Sequence, residues 1–244
     1  MIRLSVNPNK VALLRNSRLT GSPSVGDFGR FALQAGADDL TVHPRPDERH
    51  IRASDVYDLA DLKKPVRPRI ELNVEGRPTK DFLALVGAKR PEQCILVPDA
   101  PDTLTSDTGR SVAAEARTLR PIVQRLKALG CRVILFMDPS ADAIEEVAHV
   151  EADGVEIYTG AYAAAHRRGA FKNELADCLA AGRKASQLGL VVNAGHDLNR
   201  ANVAPLLAMD GLHELSIGHE LMVDAITASF ATMVSRYKAT LGAK

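Results

Sequence analysis

The stretch VAAEARTLRPIVQRLKALGCRVILFMD, residues 112–138, holds one complete unit of the fold. Val112, Ala116, Leu119, Ile122, Val123, Leu126 and Leu129 recur at the spacing that gathers them on one face of a helix. Gly130 follows, where a helix ends in a left-handed residue that a Cβ disfavours. Arg132–Asp138 is then a short run of Val, Ile, Leu, Phe and Met, which reads as a buried strand.

The same order of helix, glycine and strand recurs on both sides of this unit. The other strand candidates are Ile2–Asn7, Asp39–His43, Arg69–Glu75, Gln93–Pro98, Gly154–Thr159, Leu190–Ala194 and Glu214–Gly218. Most read as continuous apolar runs rather than alternating ones, the pattern of strands covered on both faces. Helical patterns lie between them, such as Val25, Phe28, Phe31, Ala32 and Ala35, and the last, Leu221–Leu241, is the longest. Gly36, Gly130, Gly189 and Gly211 mark helix-to-strand joints. Eight strands alternating with eight helices imply parallel pairing through right-handed crossovers. In 244 residues this predicts an α/β fold: a single (β/α)8 TIM barrel with a parallel eight-stranded core, one domain spanning 1–244. An open doubly wound sheet is the rival, disfavoured because no G-x-G-x-x-G follows the first strand.

Composition narrows the function. With a net charge of +1, 45% hydrophobic and 25% charged residues, the chain has no general electrostatic attraction for nucleic acid or an anionic membrane. Cys94, Cys131 and Cys178 are odd in number, scattered and set in apolar surroundings, so buried thiols in a reducing compartment are expected. MIRLSVNPNK turns polar too early for a signal peptide, and no apolar stretch approaches the roughly 18 residues of a membrane helix. A cytoplasmic protein is expected.

A barrel delivers its functional groups at the C-terminal ends of its strands. Those positions here carry Asn7, then His43 with Arg45 and His50, then Asn73 and Glu75, Glu156 and Thr159, Asn193 and His196, and Gly218 with His219. Taken singly, a His at a strand end reads first as a hydrogen-bonded structural residue, and His149 and His213, off the pattern, are read so. His166 fits either reading. Glu75 and Glu156 differ, because a carboxylate inside an apolar strand costs several kcal/mol unless paired. Such groups are also those whose pKa rises toward neutrality for proton transfer. Phosphate suits two places: the Gly-His loops Ala194–Asp197 and Ile217–Glu220, where Asp197 and Glu220 would have to point away, and a basic cluster of Arg15, Arg18, Arg45, Arg49 and His50. No H-x-H and no tight His–carboxylate set suggests a metal, and no late strand carries a Schiff-base Lys.

The segments SVNPNKVALLRNSR (5–18), AGADDLTVHPRPDERHI (35–51), ELNVEG (71–76), CILVPD (94–99), TSDTG (105–109), VEIYTGAYA (155–163), LVVNAGHDLN (190–199) and HELSIGHEL (213–221) occur in order over nearly the whole chain. Together they resemble the pyridoxine 5'-phosphate synthase family of vitamin B6 biosynthesis. The resemblance implies a cytoplasmic transferase, usually an octamer, that joins 1-deoxy-D-xylulose 5-phosphate to 3-amino-2-oxopropyl phosphate without metal or organic cofactor. By motif, His43 and Glu75 resemble proton acceptors, His196 the proton donor and Glu156 a transition-state stabiliser. Arg45, His50 and Thr105 resemble contacts to the deoxyxylulose phosphate. Asn7, Arg18, Asp197, Gly218 and His219 resemble contacts to the amino-ketone phosphate. Three departures stand out. Asn9-Lys10 replaces a commoner Asp-His; the pair is kept as substrate-binding, with Lys10 toward a phosphate, but the acid–base capacity of the His is missing. Asp197 stands where some members have Gly, and Lys63–Arg69 is a few residues longer. The other classes that fit are a phosphosugar isomerase or aldolase on the same barrel and a non-catalytic barrel that only binds a phosphorylated ligand.

Overall fold

A computed structural model of the chain describes residues 1–66, 70–99, 106 and 108–242. In it, eight parallel strands close into a barrel in chain order. They are β1 (Arg3–Val6), β2 (Asp39–Val42), β3 (Glu71–Gly76), β4 (Gln93–Leu96), β5 (Arg132–Met137), β6 (Gly154–Tyr158), β7 (Val191–Gly195) and β8 (Leu212–Ile217). Closure comes from β8 returning to β1, with Leu4 opposite Leu215 and Val6 opposite Ile217. Each expected run overlaps a strand; β3 and β7 run one residue past theirs, and β8 begins two residues before the run predicted for it. The four joint glycines Gly36, Gly130, Gly189 and Gly211 have φ of 112°, 86°, 72° and 72°, the left-handed conformation that ends a helix.

The ring of helices is richer than the expected eight. Among the described residues there are α1 (Asn9–Asn16), α2 (Val25–Gln34), α3 (Ala53–Val66), α4 (Lys80–Lys89), α5 (Val112–Ala128), α6 (Ala141–Glu145), α7 (Gly160–Arg167), α8 (Lys172–Gln187), α9 (Val203–Leu206), α10 (His219–Thr227) and α11 (Phe230–Gly242), with a 3-10 turn at Glu146–Val150 after α6. α1 and α7 are inserted directly after β1 and β6, on the side where the strands end. The single long helix expected over Leu221–Leu241 is two helices. Ala228 is extended (φ −139°, ψ −160°), and the Ser229 hydroxyl accepts the N–H of Thr232 at 3.2 Å, starting a new helix. The break seats the Phe230 ring 4.9 Å from Phe28 of α2. Of the longer Lys63–Arg69 segment, the first residues end α3 and 67–69 lie outside the described residues.

The strands differ from the expected continuous apolar pattern in a way that creates the site. They are buried on both faces, yet several alternate. Leu4, Val6, Leu40, Val42, Leu72, Val74, Leu215 and Ile217 are at most 1% exposed and belong to the main apolar core with helix residues such as Leu33, Leu59 and Val234. The intervening positions fill the barrel with polar groups. Ser5 and Thr41 hydroxyls hydrogen-bond at 2.6 Å, and the Asn73 amide donates to Thr41 at 3.2 Å. At the N-terminal end of the strands, Arg3 pairs with Asp39 and Arg132 with Glu71. Arg132 also donates to Gln93 (2.9 Å), whose amide reaches Glu214 across the barrel (3.3 Å). One side of the lumen is apolar, where Ile95, Val97, Ile134 and Phe136 cluster with Tyr158 and Val191. Fully burying a Leu or Val contributes roughly 1.5–3 kcal/mol, against about 1 kcal/mol net for a hydrogen bond. The outer apolar layer therefore holds the barrel together, and the lumen network selects its register.

The three cysteines are free and buried, as expected. No helix among the described residues is long and apolar enough to cross a membrane. Replacing Arg132 with Met would leave Glu71 and Gln93 without their cation. The variant is expected to lose about 2 kcal/mol of stability, less than a fully buried pair because both Arg132 and Glu71 keep some water contact (24% and 22% exposed side chains). Guanidinium unfolding midpoints measure this directly.

Candidate active site

The C-terminal ends of the strands open on a cavity of about 360 Å³. All four residues expected to carry catalysis, His43, Glu75, Glu156 and His196, line it. So do Asn7, Asn9, Lys10, Arg45, His50, Asp197, Gly218 and His219. Thr105 lies outside the described residues. Arg18 is exposed just beyond α1 and is absent from the cavity wall. Arg15, expected in the basic cluster, is instead structural: it is buried, ion-paired with Asp55, and donates to the carbonyl of His50 at 3.0 Å. Asp197 and Glu220 were expected to point away, yet both line the cavity, and Asn199 donates to the Glu220 carboxylate at 3.4 Å. His166 packs against Phe171 (4.5 Å between centroids) and is off the cavity wall.

At the end of β2, burial dominates. His43 is held down to about 3, first by desolvation and then by the charges of Arg45 and Arg49, so its ring is neutral at physiological pH. Its Nδ1 lies 3.8 Å from the Glu75 carboxylate. Glu75 moves the other way, pushed up to about 8 by burial and by the negative charge of Asp99. The backbone fixes the pair: the His43 N–H donates to the Asn9 side chain at 3.2 Å, and Asn7 accepts the N–H of Asn9 at 2.9 Å. Asn9 thus acts as a hydrogen-bonding brace, a role its amide performs without any acid–base capacity. His50, also lowered to about 3 by burial and by its neighbours His43, Lys10 and Arg45, accepts the N–H of Ile51 on Nδ1 at 2.9 Å. That bond leaves the ring proton on Nε2, so neutral His50 is a donor.

Across the cavity, β6 and β7 supply the second carboxylate and the second imidazole. Glu156 is raised well above the ordinary range by burial and by the charges of Glu75 and Glu214. Its Oε2 and both polar atoms of the neighbouring Asn193 have no hydrogen-bond partner among the described residues. Unpaired buried polar atoms cost roughly 1–3 kcal/mol each, and Glu156 lines the cavity. Gly195 makes room for this carboxylate, since a Cβ there would sit 2.3 Å from Glu156 Oε1. His196 (φ 98°) and Asp197 (φ 55°) are left-handed, a conformation costly for residues with a Cβ. Thr159 holds them: its hydroxyl faces the carbonyls of Gly195 (2.6 Å) and His196 (2.7 Å), and its N–H donates to Gly195 at 2.9 Å. The His196 ring then stands 5.2 Å from Tyr158 and 6.3 Å from Phe136. Gly218 closes the ring of strands against Asn7, where an added Cβ would lie 2.9 Å from the Asn7 carbonyl oxygen.

Sequence reasoning missed Ser106 and Phe136 on the cavity wall, and the bracing by Thr159. Thr159 stood out only by its place at a strand end, and Phe136 read as one more apolar strand residue.

Fold and mouth together define a (β/α)8 barrel with imidazoles and carboxylates gathered on one cavity wall. Over residues 4–243 the chain matches the family model described as pyridoxal phosphate biosynthesis protein PdxJ, and it belongs to that family. A pyridoxine 5'-phosphate synthase of Brucella suis is 48% identical over 237 residues, covering 96% of each chain. The protein of the same name from Brucella anthropi is 48% identical over 241 residues, covering 98% of each. Distant solved structures share the fold. The BexX/CysO complex of Amycolatopsis orientalis aligns with a TM-score of 0.64 at 18% identity, over 100% of this chain and 89% of that one. Phosphoribosyl anthranilate isomerase of Thermotoga maritima aligns with a TM-score of 0.61 at 12% identity, over 100% of both chains.

The raised pKa of Glu75 has a stability consequence. Between its ordinary value of 4.5 and about 8, the folded protein holds this proton more tightly than the unfolded chain. The stability it contributes is therefore full below that window and is lost as pH rises through it. Glu75→Gln, which cannot ionise, is expected to exceed the wild type at pH 8 by on the order of 2 kcal/mol and to converge with it toward pH 4.5. Urea unfolding at several pH values reads the difference.

Proposed function

We propose that this chain is a transferase that condenses 1-deoxy-D-xylulose 5-phosphate with 3-amino-2-oxopropyl phosphate to pyridoxine 5'-phosphate, releasing phosphate and water. The observation that carries the reading is the convergence of His43, His196, Glu75 and Glu156 in one cavity bordered by Lys10, Arg45 and Arg49. Family membership and the names of the 48% identical relatives support the same reaction.

The chemistry follows from the groups present. To attack the ketone, the amine must shed a proton, and ring closure requires proton removal at carbon. Glu75, holding its proton up to about pH 8, is a strong base once ionised and cycles between its two forms near neutrality. His43, at about 3, is neutral and releases at once any proton it takes, with Glu75, in its ionised form, 3.8 Å away to receive it. The pair therefore acts as a relay, His43 collecting and Glu75 storing. His196, on its left-handed perch, is the donor to the departing hydroxyl or phosphate. Glu156 faces the developing positive charge of the imine and enamine stages; ionising it in its buried site is easiest when a cation is beside it. Arg45 and the Nε2–H of His50 take the phosphate of the deoxyxylulose unit, with Thr105 expected beside them. Asn7, Arg18, Asp197, Gly218 and His219 are assigned to the amino-ketone phosphate, and Lys10 supplies a further cation. No cofactor is required, because neither hydride nor electrons move.

Assembly and location belong to the same reading: a cytoplasmic homo-octamer. The exposed Leu13 and Leu14 on α1, Phe31 on α2, and Val223 and Ile226 on α10 offer apolar surface for subunit contacts.

Mixing the purified protein with both substrates, without metal or cofactor, is expected to release pyridoxine 5'-phosphate and inorganic phosphate together, and only when both substrates are present. Turnover of one phosphosugar alone would instead indicate an isomerase or aldolase, and binding without turnover a ligand-binding barrel. His43→Asn and Glu75→Gln are each expected to lose about 10²–10⁴ in kcat with the fold intact by circular dichroism.

A further inference from the structure

One stretch of the catalytic cavity's wall is apolar. Val97, just beyond β4, and Phe136 of β5 both line the cavity and are both buried. They cluster with Ile95 and Ile134, and Tyr158 and Val191 pack against that cluster. The polar backbone of the patch is already engaged. The Val97 N–H donates to the Gly76 carbonyl at 3.1 Å, and the Val97 carbonyl accepts from the Arg110 guanidinium. The Phe136 carbonyl accepts the Arg110 N–H at 2.8 Å. The Ser106 hydroxyl, also on the cavity wall, donates to Asp99 at 2.7 Å. Two further apolar side chains on the wall, Leu13 of α1 and Leu198 beyond β7, stand elsewhere around the ring.

Geometry connects this patch to one end of the sugar substrate. With the phosphate beyond β2, the chain runs six single bonds from phosphorus to C1, about 7 Å, the reach of two extended residues. Neighbouring strands stand about 4.8 Å apart, so C1 arrives at wall two or three strands from β2. In one direction that wall is β8 and β7, already assigned to the amino-ketone phosphate. In the other it is β4 and β5, which carry the apolar patch.

We propose that Val97 and Phe136 determine specificity for a ketose phosphate without a hydroxyl at C1: their apolar face takes the C1 methyl and gives a C1 hydroxyl no hydrogen bond. This rests on the reaction assigned above. A methyl placed there exchanges water for apolar contact, whereas a hydroxyl placed there is buried unpaired. Glu75 and Glu156 flank the patch, opposite Ile95 and Phe136 in the strand pairing. A C1 hydroxyl turned toward either carboxylate would take it from the reacting carbons.

The test compares kcat/KM for 1-deoxy-D-xylulose 5-phosphate and for D-xylulose 5-phosphate, each with the amino-ketone phosphate, by phosphate release. The wild type is expected to favour the deoxy sugar about 10²-fold, the rejection an apolar pocket gives an added hydroxyl. Val97→Thr keeps the shape and adds a hydroxyl; it is expected to cut the preference to about tenfold. Val97→Ala and Phe136→Leu stay apolar; they are expected to lose rate while keeping the preference within about threefold. A wild type indifferent to the C1 hydroxyl overturns the proposal, as does a Val97→Thr that loses both sugars equally. Preference lost in Val97→Ala assigns the discrimination to size and overturns it too. If Val97→Thr does not fold, the two apolar variants decide: preference kept in both sustains the proposal, and preference lost in either ends it. If neither sugar gives product, the assigned reaction fails, and calorimetric titration with the two sugar phosphates still tests the wall. Tighter binding of the deoxy sugar sustains it; equal or absent binding ends it.

Discussion

A two-residue alternation in a closed barrel is the constraint on which the structure depends. With β8 paired to β1, each strand has one face toward the helices and one toward the lumen. A slip of one residue in β1 would drive Arg3 and Ser5 into the apolar layer and turn Leu4 and Val6 inward. Burying a charge there costs several kcal/mol, so the register has no neighbouring alternative. The polar lumen specifies the barrel even though the outer apolar layer supplies most of its stability.

The same alternation builds the site. Following Asp39 and Thr41 by two residues reaches His43, and following Glu71 and Asn73 reaches Glu75. These groups arrive at the mouth as continuations of inward-facing polar rows. Because Ile95 of β4, Val97 just beyond it, and Ile134 and Phe136 of β5 stand there instead, the mouth is polar on one side and apolar on the other. Low-dielectric walls beside carboxylates and imidazoles push the two kinds of group in opposite directions, Glu75 up and His43 down. The opposite shifts of the two groups follow from a shared burial rather than from any special bond.

Bracing around the mouth is supplied by residues without acid–base roles. Asn9 holds the backbone of His43, Thr159 holds the left-handed His196, and Gly195 leaves space for Glu156. The Asn9 amide supplies hydrogen bonding to this bracing, and Lys10 places a cation on the wall.

The barrel was legible in the sequence because its signals are local. Apolar runs of strand length, helical spacing and glycine at helix ends are each decided by a few neighbouring residues. The polar groups at strand ends were legible too, since barrel topology says where those ends meet. Local patterns do not say where a break falls inside an apolar helix, so the split at Ala228-Ser229 went unread. They also do not distinguish a cation that faces a ligand from one that faces a carboxylate far along the chain. Arg15 and Arg45 look alike in sequence, yet one is turned onto Asp55 and the other, held by Asp99, reaches the cavity. Sequence alone determined most of the polar strand-end residues that the barrel presents at its mouth, because alternation and strand length are properties of consecutive residues. Tertiary structure alone decided their pairing, burial and protonation, because those depend on the distances and dielectric created when strands distant in the chain close on one another.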